Sequence, residues 1–274
     1  MALLSSALWG TSDFGGGTLT RRRPAVTVAA VSELIGLAAV VIAGIVTGAF
    51  AAPTGYVGWG LLGAAAGSVG IVAFYEALAT GTMGVVAPIA SLGVAVPVVT
   101  GLVQGDRPNA LQDAGIVIAI IGVVLAGGPE LQGGDGRRES AKPLVLAAVA
   151  AVAFGVVFVA IAHGARSSTV MTLLVMRSAA VVLMVGVARA TATSLRVASG
   201  DVPMLLLVGL FDVGANATFA YASRRGLLSI VAVLSSLYPA VTVILARAVH
   251  AERLARIQLI GVIGAVGGVA LIAS

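Results

Sequence analysis

The chain has 274 residues, 59% of them hydrophobic and 36 of them glycine, with only 10% charged, well short of the roughly 25–35% charged surface that keeps a folded domain in water. That composition excludes a soluble enzyme, a secreted domain, a coiled coil and a disordered chain, and the absence of cysteine removes disulfides, thiolate nucleophiles and thiolate metal sites. The formal charge of +5 comes from 15 Arg and Lys142, spread in short clusters between apolar stretches, which is the pattern of loops flanking membrane spans rather than of a nucleic-acid face.

A helix needs about 20 apolar residues to cross a bilayer, and polar, Pro and Gly clusters divide this chain into ten such pieces. The first, 3–20, carries Trp9 and Asp13 four residues apart, on one face; its apolar start reads as a span and not as a signal peptide. The second, 26–49, carries Glu33 before Gly36; the third, 56–79, carries Gly63 and Gly67 and ends near Tyr75 and Glu76. The fourth, 82–104, contains Pro88 and Pro97, each of which removes a backbone donor and frees the carbonyl four residues earlier, at Gly84 and Gly93. The fifth covers 110–127. A polar stretch, Gly127 to Pro143, follows at mid-chain and reads as a linker.

The sixth span, 144–162, and the seventh, 170–188, are apolar apart from Arg177 in the latter. The eighth, 203–222, presents Asp212 and Asn216 as one polar stripe; the ninth, 228–248, has Tyr238 and Pro239 at its centre, freeing the Ser235 carbonyl; the tenth is 255–273, with Gly264 and Gly268 spaced for close helix contact. Lys and Arg follow mainly the odd-numbered spans, at Arg21 to Arg23, Arg137, Arg138, Lys142, Arg189, Arg196, Arg247, Arg253 and Arg256, against Arg107, Arg166, Arg224 and Arg225 after the even ones. The positive-inside rule would place both termini outside.

Sliding the chain by 145 residues puts Trp9-Gly10 on Phe154-Gly155, Phe74 on Phe219, Ala77 on Ala222, Gly81 on Gly226, Ser91 on Ser236 and Leu92 on Leu237. The expectation is therefore an all-α membrane protein of ten spans in a 5+5 inverted repeat: residues 1–128, a linker loop 129–142, and residues 143–274. An odd number of spans per copy inverts the second copy and leaves a central site between the halves.

The stretch Tyr221 to Leu254, YASRRGLLSIVAVLSSLYPAVTVILARAVHAERL, resembles the second repeat of EamA-type proteins of the drug/metabolite transporter superfamily, with Tyr-Ala and Gly before an apolar helix holding a central Pro, and Glu-Arg-Leu before the last helix. ALWGTSDFGGG, from Ala7 to Gly17, is similar to the family's first helix, and Arg177 in VMRSAAVVL to the Arg its repeats often carry. The first copy departs from the pattern, with QGDRP at Gln104 to Pro108 in place of Glu-Arg-Leu and Glu33 near the place of its own Arg. The resemblance implies a small-metabolite exporter of the bacterial inner membrane, amino acids leading its substrates, with both termini cytoplasmic and no enzymatic activity. A multidrug or organic-cation efflux carrier, and a non-transporting scaffold or sensor, are the alternatives.

Charges inside spans carry the chemistry, since each costs about 2.5–3.5 kcal/mol at a helix centre facing lipid. Asp13, Glu33, Glu76, Arg177 and Asp212 lie well inside and must face a wet or paired interior. Four acids against one base give a formal charge of minus three, which attracts protons or cationic groups. Trp9, Asp13, Glu76, Asp212, Asn216, Tyr221 and Tyr238 are the candidates for substrate binding or proton coupling. Glu33 and Arg177 are read as a structural ion pair at the repeat interface, and Pro88, Pro97 and Pro239 as helix breaks. No HExxH, GxSxG or phosphate-binding loop occurs, so no cofactor or metal is expected; the expected partners are the bilayer, a small solute, protons and, at most, a second copy.

Overall fold

The computed structural model describes residues 1–81, 83–126, 141–250 and 256–273; the predicted linker between the halves and the Glu252-Arg253-Leu254 motif lie outside the described residues. Within them the structure is helical, without strands. The helices are α1 (Ala2–Thr20), α2 (Ala25–Thr47), α3 (Val57–Thr80), α4 (Met83–Ser91), α5 (Ala95–Val103), α6 (Ala110–Ala126), α7 (Ala141–Gly164), α8 (Thr169–Ala190), α9 (Val202–Ser223), α10 (Leu228–Ser235), α11 (Tyr238–His250) and α12 (Arg256–Ala273).

Two of the predicted spans are broken in the middle, and proline explains both. The Pro97 nitrogen has no hydrogen for the Gly93 carbonyl, and between α4 and α5 the chain tightens into a 3-10 turn over Leu92–Val94. Pro239 likewise leaves the carbonyl of Ser235, the last residue of α10, without its helical donor, and the helix resumes only at Tyr238. Pro88 makes no break: α4 runs unbroken from Met83 to Ser91. It still removes the donor that the Gly84 carbonyl would have had, without ending the helix.

Four stretches are long and apolar enough to cross a membrane, namely Ala25–Thr47, Thr54–Thr80, Lys142–Ala190 and Ser199–Ser223, the third of them containing both α7 and α8; three shorter apolar helical stretches cover Ile89–Val103, Ala110–Gly122 and Leu228–Thr242. Large apolar side chains cover the outside, Val46 and Val103 being 79% and 82% exposed. Such a surface is stable only against lipid. Inside, α1 packs on α9, α3 on α7, α2 on α8 and α6 on α12. Small residues permit the close approaches: a Cβ on Gly268 would stand 2.6 Å from the Ala119 nitrogen and 2.7 Å from the Gly115 carbonyl.

Polar locks hold the helix ends. Where α1 ends and α9 begins, Arg22 Nη2 and Arg23 Nε meet the Asp201 carboxylate at 3.0 and 2.7 Å. Beyond α5, the Asp106 carboxylate accepts from the Ser229 backbone N–H and from its hydroxyl, both at 2.8 Å, capping α10 from outside its own helix. Ser229 is fully buried, so Asp106→Ala strands its amide and should cost about 1–2 kcal/mol. Thermal unfolding in detergent reads this, with Asp106→Asn, which keeps an acceptor oxygen, expected to lose less than half as much.

Candidate functional site

The pairs α1–α9 and α3–α7, together with α2, α8 and the start of α11, line one partly open cavity. Its polar wall is built by α1, α2, α8 and α9. Arg177, 3% exposed, donates from Nη1 to Glu33 Oε2 at 2.7 Å and from Nη2 to Asp212 Oδ2. Asp212 Oδ1 accepts the Trp9 indole N–H at 3.1 Å, and the Asn216 amide donates to the Asp212 backbone carbonyl at 2.7 Å and to Oδ2 at 3.3 Å. Asp212 is therefore held by Arg177, Trp9 and Asn216 together.

Asp13 lines the same cavity one turn beyond Trp9 and has no hydrogen-bond or salt-bridge partner among the described residues, while lying within electrostatic reach of Asp212. Tyr238 lines it as well; its buried hydroxyl also lacks a hydrogen-bond partner. The remaining wall is apolar, with Gly67 and Ile71 from α3, Phe154, Val157 and Phe158 from α7, and Met176 from α8. Three carboxylates and one guanidinium give the cavity a formal charge of minus two.

Of the residues expected at the site, the cavity brings together Trp9, Asp13, Glu33, Arg177, Asp212, Asn216 and Tyr238. Glu76 is not among them: on α3 it is Tyr75 that is buried, and the neighbouring Glu76, a 100° step around the helix, is half-buried outside the cavity. Tyr221 is likewise elsewhere, 42% exposed in the last turn of α9 with the Arg225 guanidinium 4.1 Å from its ring. The apolar lining residues were not foreseen, although the internal offset marks them. Shifted by 145, Trp9 and Asp13 fall on Phe154 and Phe158, and Gly67 and Ile71 on Asp212 and Asn216; Glu33 and Arg177 are 144 apart. At each of these places one copy is polar or charged where the other is aromatic, small or apolar, or else the two carry opposite charges.

Trp9 also stacks edge-on against Phe158, 5.1 Å between centroids, and lies 5.9 Å from Phe219. Trp9→Phe retains most of that stacking and removes only the N–H to Asp212. Because Arg177 and Asn216 still hold the carboxylate, the expected loss is about 1.5 kcal/mol, the low end for a hydrogen bond to a charged group. A midpoint shift in thermal unfolding measures it.

Apolar helices with a lipid-compatible exterior, closed around a charged interior cavity, define a multi-pass membrane protein with an internal site. The model of the EamA-like transporter family matches residues 1–128 and 141–274. The chain therefore belongs to that family of membrane transporters, part of the drug/metabolite transporter superfamily. A solved structure described only as "Crystal structure of protein" shares the fold, with a TM-score of 0.79 at 21% identity, covering 98% of this chain and 94% of its own. No curated protein matches the chain.

Proposed function

We propose that the chain is an alternating-access secondary carrier of the bacterial cytoplasmic membrane, with ten spans in a 5+5 inverted repeat, residues 1–128 and 143–274 joined by 129–142. It exports a small metabolite bearing an ammonium group, in exchange for protons. The observation that carries this reading is the internal cavity lined by a carboxylate, Asp13, that is unpaired among the described residues. Two further features support it. The contact of α1 with α9 and that of α7 with α3 are the same contact with the halves exchanged, the arrangement from which a carrier opens alternately to either side. Breaks in the middle of apolar helical stretches, as at 92–94 and 236–237, are tolerated in a membrane where they line or border a cavity.

Of the candidate carboxylates Asp13, Glu76 and Asp212, Asp13 takes the proton-coupling role. Glu76 lies outside the cavity and Asp212 is saturated by donors, whereas Asp13 is free to exchange a proton for a cation. The test is uptake and counterflow in proteoliposomes with a panel of amino acids and organic amines, with and without an imposed pH gradient. Saturable flux that responds to the gradient and is lost in Asp13→Asn is expected. Gradient-independent flux overturns the coupling, and a lack of flux for the whole panel favours a non-transporting membrane protein.

A further inference from the structure

The cavity offers two kinds of surface and lacks a third. It has a free carboxylate, Asp13, and an apolar and aromatic wall from Phe154, Val157 and Phe158. Among the described residues it has no unpaired cation. Arg177, the one cation among the described residues that line the cavity, is 3% exposed and holds Glu33 and Asp212 on its two terminal nitrogens, and its Nε, though without a hydrogen-bond partner, is buried, so a ligand carboxylate could reach the guanidinium only by displacing a partner or shifting the packing over Nε. A zwitterion placed here would satisfy its ammonium on Asp13 and leave its carboxylate in a chamber of formal charge minus two, at low dielectric. The same molecule without its carboxylate meets no such penalty.

Resting on the reading of this cavity as the carrier's substrate site, we infer that its ligand is a monovalent organic amine with an apolar or aromatic body, the decarboxylated counterpart of an amino acid, and that zwitterionic amino acids are discriminated against. The ammonium pairs with Asp13. An aromatic or branched body lies against Phe154, Val157 and Phe158, with the ring faces adding attraction for the cation. Selectivity arises on the polar side from what is absent, a counter-charge for a carboxylate, and on the apolar side from area buried.

The experiment uses the purified full-length chain in detergent and three probes that share one phenyl body: 2-phenylethylamine, L-phenylalanine, which adds a carboxylate, and 3-phenylpropionate, which has no ammonium. In equilibrium binding of radiolabelled 2-phenylethylamine, unlabelled phenylalanine should compete about tenfold or more worse than unlabelled 2-phenylethylamine, and phenylpropionate should not compete. Asp13→Asn should weaken binding of the amine about tenfold or more, while Asp13→Glu, which keeps the charge, restores most of it and shows that the cavity still folds. Phenylalanine competing as well as the amine, an unchanged affinity in Asp13→Asn, or no binding of the amine would each overturn the inference. Counterflow of whichever probe binds tests the carrier reading separately: binding without flux removes the carrier and leaves the amine site standing, whereas flux of phenylalanine in preference to the amine does the reverse.

Discussion

Arg177→Met should be the most destabilising single substitution among the cavity residues, costing about 3–5 kcal/mol before solvent is considered. One guanidinium bridges Glu33 on α2 and Asp212 on α9 from its place on α8, so its removal leaves two carboxylates facing each other with no counter-charge. Both retain some access to the cavity, their side chains being 14% and 27% exposed, and water there offsets part of the loss. The lower end of the range is therefore expected, a fall in unfolding midpoint on the order of 10 °C. Arg177→Lys keeps the charge but not the planar fork that reaches two partners at once, and should recover only part of the loss.

Exchanging the partners, Glu33→Arg with Arg177→Glu, would preserve an isolated pair. Here it brings the new Glu up against Asp212, a like-charge contact, and the double variant should be less stable than wild type. The triple variant Glu33→Gln, Arg177→Met, Asp212→Asn removes every charge together and should lie closer to wild type than Arg177→Met alone, because a buried network is replaced more cheaply than it is broken. If Arg177→Met unfolds within about 1 kcal/mol of wild type, comparable to an exposed pair, the three groups do not form a structural network.

The positions of the helices were legible because each begins and ends where apolar runs meet Pro, Gly or charge: the predicted 3–20 differs from the observed Ala2–Thr20 by one residue at one end, and the predicted 203–222 from Val202–Ser223 by one residue at each end. Which face of a helix points inward was not legible in the same way. A membrane helix is apolar all round, so periodicity does not choose between neighbours such as Tyr75 and Glu76. Charge was a better guide: Asp13, Glu33, Arg177 and Asp212 line the cavity, since each is too costly to leave in lipid. Glu76 and Tyr221 depart from the expectation near helix ends, where polar groups reach the surface without a cavity. The aromatic half of the site needed the internal offset, because Phe154 and Phe158 look like ordinary apolar residues until they are set against Trp9 and Asp13.

Gly155→Leu should disable the protein as thoroughly as a change in the cavity itself, although Gly155 does not line it. A Cβ there would stand 2.5 Å from the Gly93 carbonyl oxygen and 2.7 Å from the Val96 Cβ. Gly93 is the residue whose carbonyl Pro97 deprives of its helical donor, so the obstacle is backbone at the break between α4 and α5 and cannot rotate away as a side chain would. The same contact occurs once more, 145 residues displaced on both sides: a Cβ on Gly10 would meet the Tyr238 carbonyl at 2.6 Å and the Val241 Cβ at 2.5 Å, at the break between α10 and α11. In each case the helix bearing the glycine also carries cavity residues, Phe154 and Phe158 beside Gly155, Trp9 and Asp13 beside Gly10, so pushing it outward pulls a wall away from the site. Overpacking typically costs 1–3 kcal/mol, and with backbone as the obstacle about 3 kcal/mol or more is expected for Gly155→Leu and for Gly10→Leu. Gly186, on α8, has no atom within 4 Å of where its Cβ would lie, and Gly186→Ala should be neutral or stabilising by about 0.5–1 kcal/mol through the chain entropy it removes. Thermal unfolding of the three variants, with amine binding measured on those that fold, separates the alternatives: equal stability for Gly155→Leu and Gly186→Ala would mean that the two helix breaks are not packed against α7 and α1 as the structure has them.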